Sequence, residues 1–280
     1  MDLPDYLKIA PAELGRGQPV AVQIVPDAAA LASDMAAAMF AEIRAAADNG
    51  RAATLIVPVG PVDQFPVLAQ RLNAERLCCR QVAFINMDEY LGDDGAWLPI
   101  DHPLSFRGFM RRAFYDLLDP ALAPSVENRV FPDPRRPEQI GRLIAERGGV
   151  DACFGGIGIN GHLAFNEPPE PGETCTAEQF AALPTRVLTL ARETRTINAV
   201  TVGGEIGLIP RRAVTIGMRE ILAAQRLRFC CNRPWQRSVV RRALHGPLTA
   251  ACPASLLRLH ADARLTATAE VAATPQIGLR

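Results

Sequence analysis

The sequence predicts an α/β fold, a three-layer, doubly wound, mostly parallel sheet of Rossmann-like type. Three observations carry this expectation. Short apolar runs alternate along the chain with longer helical patterns, as in a parallel sheet covered on both faces. The run 150–154 ends in Gly155, Gly156 and Gly158 and passes at once into a polar group, Asn160, His162, Asn166 and Glu167. A second apolar run, 82–85, opens the same way into Asn86-Met87-Asp88-Glu89-Tyr90. Buried parallel strands that end at a ligand-binding edge look like this, and glycine there lets the backbone turn tightly and approach a ligand.

Taken in order, residues 19–25 are a short apolar run before Pro26-Asp27, and Asp27 is placed to cap an alanine-rich helix reaching about Ala47. A second strand over 53–59 is followed by a loop and a helix over 63–75, and a third strand over 81–86. Residues 104–118 are amphipathic and helical, and a helix over 137–147 feeds the strand 150–154. Later strands fall at 213–216 and 226–231, and a later helix at 235–244. No repeat or clear linker interrupts the pattern, so one domain over 1–280 is expected. The stretch 168–184, rich in Pro, Glu, Thr and Ala, reads as a loop or mobile flap just after the glycine segment.

Composition removes several classes of function. A 280-residue chain that is 49% hydrophobic and 21% charged can bury a substantial core. Its formal net charge of zero argues against a nucleic-acid binder relying on a basic surface. No apolar run has membrane-spanning length, and the acidic start Met1-Asp2-Leu3-Pro4-Asp5 is not a signal peptide, so a cytoplasmic location away from membranes is expected. The seven cysteines are odd in number and lack zinc-site spacing, which suits reduced thiols. Lys8 is the only lysine and lies far from every motif, so neither lysine-imine chemistry nor pyridoxal phosphate is expected. No Gly-Lys-Ser/Thr exists, which removes a Walker-type phosphate loop.

Three segments carry a family resemblance. They are Asn86-Met87-Asp88-Glu89-Tyr90, His102-Pro103-x-Ser105-Phe106-x-x-Phe109-Met110, and Gly156-Ile157-Gly158-x-Asn160-Gly161-His162-Leu163-Ala164-Phe165-Asn166-Glu167-Pro168. In this order and spacing they resemble the glucosamine-6-phosphate deaminase family. A weaker match runs through Thr185-Arg186-Val187-x-Thr189-Leu190 and Glu193-Thr194-Arg195 to Leu257-Arg258-Leu259-His260. Related sugar-lactone hydrolases share the Gly-x-Gly-x-Asp-Gly-His part but continue with Ala-Ser-Leu-Phe-Pro. Here Phe165-Asn166-Glu167-Pro168 stands instead, on the deaminase side. The resemblance implies a fold of the sugar-phosphate isomerase type and a small-molecule sugar substrate, with further copies of the chain as the only other partner to consider.

It also implies a hydrolase or isomerase that needs neither metal nor cofactor. Converting an amino aldose to a ketose moves a proton from C2 to C1, and one carboxylate on one face of the opened sugar can do both halves. The resemblance assigns this to Asp88, whose position after an apolar strand lets neighbouring walls raise its basicity by desolvation. His162 would deliver the proton that opens the ring, since an imidazole titrates near neutrality. Glu167 would hold the imidazole in one tautomer, and Asn160 would complete the group. Family members carry Asp or Asn at the position of Asn160. The blander reading of Asp88-Glu89 is a turn or helix-cap pair, with Glu89 a helper or solvated neighbour. His162 and Glu167 lack further ligands at metal spacing, so no metal site is expected.

Substrate contacts are expected from Val59, Gly60, Gly156, Gly161, Arg233, Gln236 and Arg237, and here the pattern changes. The family holds its phosphate on a loop of the form Pro-Thr/Ser-Gly-Gly-Thr/Ser-Pro. The matching stretch is Pro58-Val59-Gly60-Pro61-Val62-Asp63, with valines for the hydroxyl residues and Pro61 for a glycine. Asp63 is placed to cap the next helix and to repel a phosphate. A family arginine falls at Val200 and a family lysine at Gln236. Arg233, Arg237 and Arg241 recur every four residues. They read either as a solvated face or, through Arg233 or Arg237, as a replacement anchor for a carboxylate or sulfonate. Arg186 matches a position tied to regulation, but Leu188 replaces its neighbouring lysine, so amino-sugar allostery is not expected. The leading expectation is an amino-sugar deaminase–isomerase whose substrate lacks a 6-phosphate. The alternatives are a sugar-lactone hydrolase on the same scaffold and a non-catalytic sugar-binding relative.

Overall fold

The structure, a computed structural model, describes residues 2–60 and 63–278. In chain order its first half holds β1 (Ala21–Val25), α1 (Ala28–Asp48), β2 (Thr54–Val57), α2 (Gln64–Ala74), β3 (Ala83–Asn86), β4 (Asp88–Leu91), α3 (Phe106–Ala113), β5 (Arg129–Val130) and α4 (Gln139–Glu146). The second half holds β6 (Ala152–Gly156), α5 (Ala177–Ala181), β7 (Arg186–Thr189), α6 (Arg192–Asn198), β8 (Arg212–Thr215), α7 (Met218–Leu222), β9 (Leu227–Cys231), α8 (Gln236–His245), β10 (Ala263–Thr268) and α9 (Ala269–Ala272). Among the described residues no helix is long and apolar enough to cross a membrane.

Seven strands form one parallel sheet in the order β1-β10-β9-β6-β2-β3-β5. Strand alternation sends side chains to two faces. From β2, Leu55 and Val57 join the core beneath α1, α2 and α3, while Ile56 joins the core beneath α4, α7 and α8. The three-layer, doubly wound expectation is therefore met. The predicted cap on α1 is present too, with the Asp27 carboxylate accepting from Ala30 N at 2.9 Å.

Strand order reverses between β2 and β6: the chain runs outward from β2 to β3 and β5, then returns to β6 and continues to β9 and β10 on the other side. Open α/β sheets leave a crevice at the carboxyl ends of such a pair. The segments that leave β2 and β6 there are Pro58-Val59-Gly60 and Ile157-Gly158.

A second, three-stranded antiparallel sheet, β4-β8-β7, stands beyond this edge. The sequence reading placed 213–216 in the parallel sheet, and the structure corrects this: β8 pairs antiparallel with β4 and β7. Only Met87 separates β3 from β4. Its N–H donates to Val57 of the large sheet and its carbonyl accepts from Ile216, next to β8. The chain thus changes sheets at one residue, and Asp88 is the first residue past the change.

The helix expected over 104–118 stops at Ala113, and a 3-10 turn, Tyr115–Leu117, follows. In the segment 168–184, Thr176 and Gln179 form a capping box for α5, whose Phe180 is buried in the core.

Candidate active site

A cavity of about 440 Å³ lies at the sheet edge where the strand order reverses. Pro58, Val59 and Gly60 after β2, Met87 and Asp88 after β3, Gly156, Ile157 and Gly158 at the end of β6, and Arg233, Trp235 and Gln236 after β9 form its walls. His162 lines the same cavity as Asp88. The rest of the wall is mostly apolar, including Leu104, Phe106, Phe109 and Phe165. No residue of 168–184 belongs to it.

Asp88 is 7% exposed. Burial, reinforced by the neighbouring Glu89 carboxylate, raises its pKa to about 8. A carboxylate so raised is a far stronger base than a solvated one, and its proton affinity matches transfer near neutral pH.

Glu89, on the opposite face of β4, is not a solvated neighbour. It is fully buried and accepts from Tyr90 N, Ser105 Oγ, Phe106 N and Arg107 N at 2.9–3.1 Å, with Arg107 Nε at 3.4 Å. Two of these donors are the free amides of the first turn of α3, where a negative charge is favoured. Ser105 caps the same turn by accepting from Gly108 N at 3.1 Å. The helix and the strand that carries Asp88 are therefore locked together through Glu89.

His162 is held from its Nδ1 side. Three oxygens surround that nitrogen: Asn160 Oδ1 at 2.9 Å, Thr194 Oγ1 at 3.2 Å and Glu167 Oε2 at 3.3 Å. All can accept from Nδ1–H, which leaves Nε2 on the side of Gly158. Glu167 Oε2 in turn accepts from Asn160 Nδ2 at 2.7 Å and Thr194 Oγ1 at 3.0 Å, and Oε1 accepts from Ala191 N at 3.2 Å. Burial alone would raise the pKa of Glu167, but its hydrogen bonds from His162, Asn160 and Thr194 outweigh burial and leave it below the ordinary value. The structure brings Glu167 and Asn160 against His162, the neighbours the sequence reading gave it. Thr194 was quoted only as part of a weak match, and its hydroxyl is the third member of the clamp.

The loop geometry explains two glycines. A Cβ on Gly158 would stand 2.1 Å from His162 Nε2 and Cε1, so the imidazole occupies the space that glycine leaves. Gly161 has φ +93°, and a Cβ there would meet Cys252 Sγ at 2.8 Å. Ala164 also has positive φ, +51°, unusual for a residue with a side chain and found here on the cavity wall. Gly158→Ala is expected to push the imidazole out of register and slow any reaction that depends on it by about 10²-fold or more. Its unfolding free energy should fall by an amount typical of overpacking, about 1–3 kcal/mol.

Several expected substrate contacts are relocated. Val59, Gly60, Gly156, Arg233 and Gln236 line the cavity, whereas Gly161 and Arg237 do not. Gly161 packs on Cys252, and Arg237 donates to the Glu270 carbonyl at 2.8 Å and pairs with its carboxylate at 3.7 Å. Gln236 is buried: its Oε1 accepts from Asn232 N and Arg233 N, and its Nε2 donates to Ile157 O at 2.7 Å. Asp63 precedes α2 but makes no side-chain cap, because its φ of −81° and ψ of 42° are not the extended cap conformation. Pro61 and Val62 lie outside the described residues. Tyr90, Asn198 and Thr201 line the cavity and were not singled out as contacts. Asn198 Nδ2 donates to the Tyr90 hydroxyl at 2.9 Å. Among the described residues no group of three or more His, Cys, Asp or Glu side chains is arranged to hold a metal ion.

Comparison with known proteins gives a consistent family. A glucosamine-6-phosphate deaminase of Caenorhabditis elegans is 30% identical over 223 residues, 78% of each chain. One of Streptomyces coelicolor is 32% identical over 250 residues, 86% of this chain and 87% of the other. A solved monomeric glucosamine-6-phosphate deaminase superposes with a TM-score of 0.76 at 26% identity, over 90% of this chain and 99% of the other. A 6-phosphogluconolactonase of Thermotoga maritima shares the fold, with a TM-score of 0.64 at 12% identity over 89% of this chain and 99% of the other. No protein-family model matches the chain.

Proposed function

Because the chain belongs to the glucosamine-6-phosphate deaminase family, we propose that its cavity deaminates and isomerises an amino aldose with its own side chains alone. The observation that supports this most is that Asp88, a carboxylate of raised pKa, and His162, a clamped imidazole, face one cavity.

His162 Nε2 takes the proton of the C1 hydroxyl and passes it to the ring oxygen as the C1–O ring bond breaks, which gives the open amino aldehyde. Asp88 takes the C2 proton, and the electron pair moves into a C1–C2 double bond as the aldehyde oxygen gains a proton given up by the C2 ammonium. The same carboxyl group returns a proton to C1, leaving an imine at C2 and a hydroxymethyl group at C1. Water adds to the imine, ammonia leaves, and a ketose remains. Asn160, Glu167 and Thr194 hold the imidazole throughout, so little reorganisation is required during transfer.

Incubation with amino sugars in D2O, followed by ammonia assay and mass spectrometry, tests the proposal. Turnover with deuterium in the ketose is expected, and neither turnover nor exchange with any amino sugar would refute it. Asp88 must be charged to act as a base, so kcat/KM is expected to rise tenfold per pH unit on the acid side and to level off near pH 8. A profile that levels off near pH 4, the ordinary carboxylate range, would contradict the role given to burial. The scheme draws on side chains alone, so treatment with a strong chelator is expected to leave ammonia release unchanged.

A further inference from the structure

We infer that the far end of the substrate is a carboxylate held by Arg233, so that the sugar consumed is a 2-amino-2-deoxyhexuronate; this rests on the amino-aldose reading above. Among the described residues Arg233 is the one arginine or lysine on the cavity wall. The other two arginines of its series are committed elsewhere. Arg237 is taken up by Glu270, and Arg241 is fully buried, donating to the carbonyls of Ile9, Arg237 and Ala272. The Arg233 guanidinium makes no ion pair or hydrogen bond within the described residues, while its backbone N–H is fixed by Gln236 Oε1 at 2.7 Å. Its root is therefore placed and its head is free, which is the condition of a group awaiting an anion.

The rest of the lining selects the kind of anion. Pro58, Val59 and Gly60 offer no hydroxyl and no charge, and Phe109 and Leu104 are apolar. A phosphate dianion needs several donors to replace its water, and the described lining supplies one cation. A carboxylate is satisfied by one guanidinium through two parallel N–H···O bonds. The charge layout also matches a zwitterion, with an ammonium at C2 beside Asp88 and a carboxylate at C6 beside Arg233.

The test compares ammonia release from 2-amino-2-deoxyglucuronate, glucosamine and glucosamine 6-phosphate, together with calorimetric binding of all three. Wild type is expected to prefer the uronate, with a kcat/KM at least about tenfold above either competitor, and Arg233→Gln to lose roughly 10–100-fold on the uronate, mostly in KM. Arg237→Gln should keep the preference. A preference for glucosamine 6-phosphate, a uronate no better than glucosamine, or a preference that survives Arg233→Gln would each overturn the inference while leaving deamination standing. Uronate binding that requires Arg233, with no ammonia released from any sugar, would support the anchor and refute the deaminase reading. Absence of uronate binding overturns the anchor.

Discussion

Asp88→Asn is expected to abolish proton exchange at C2, lower ammonia release by roughly 10³-fold or more, and make the protein more stable. The kinetic part follows from the loss of the only base placed for the carbon acid. The gain in stability follows from burial. The folded pKa of Asp88, about 8, lies above the unfolded value near 4, so between those limits the folded chain binds a proton that the unfolded chain has released. Wild-type stability therefore falls as pH rises from about 4 to about 8 and is level outside that window. Asparagine has no proton to lose. The variant should match wild type near pH 4 and exceed it by roughly 2–5 kcal/mol at pH 8, read as a widening gap between their urea midpoints. Equal midpoints at both pH values would mean that Asp88 is solvated in the folded state.

The second large effect is expected at Glu89, which never touches the substrate in this account. Glu89→Ala strands the amides of Tyr90, Phe106 and Arg107 and the Ser105 hydroxyl, and removes the ion partner of the Arg107 guanidinium. Removing one member of a buried charged network costs about 3–5 kcal/mol. The damage should centre on α3 and β4, visible as faster amide exchange there than in β6 or β9. Glu89→Gln keeps the shape and removes the charge. It should be milder in stability, and it should move the acid limb of kcat/KM to lower pH, since Glu89 helps to raise the Asp88 pKa. An unmoved limb would show that desolvation alone sets it.

Much of this site is written in the sequence because its residues are local. The apolar run into Gly155 and Gly156, followed within a few residues by Asn160, His162 and Glu167, announces a strand, its carboxyl edge and a clamped imidazole together. Asp88 is legible for the same reason. What stayed hidden depends on partners far along the chain. Ala263–Thr268 lies inside the parallel sheet, yet it lacks the continuous apolar run of a buried strand. Its Arg264 and Thr266 are accommodated by the Asp34 carboxylate of α1, at 3.1 and 3.0 Å. The four-residue spacing of Arg233, Arg237 and Arg241 resembles a solvated face, but two distant carbonyls, of Ile9 and Ala272, draw Arg241 into the interior. The solvated alternative for Glu89 fails because adjacent residues on a strand face opposite ways, and donors on its side come from residues 16 to 18 positions later, at the start of α3.

The central claim is that one carboxylate serves both C2 and C1 from a single face of the opened sugar. The most direct measurement is the stereochemistry of labelling at C1 of the ketose, read by NMR after turnover in D2O by wild type and by Asp88→Asn. Deuterium on one prochiral face only, and none from the variant, is the predicted result. Label spread over both faces, or label that persists without the Asp88 carboxylate, would contradict it.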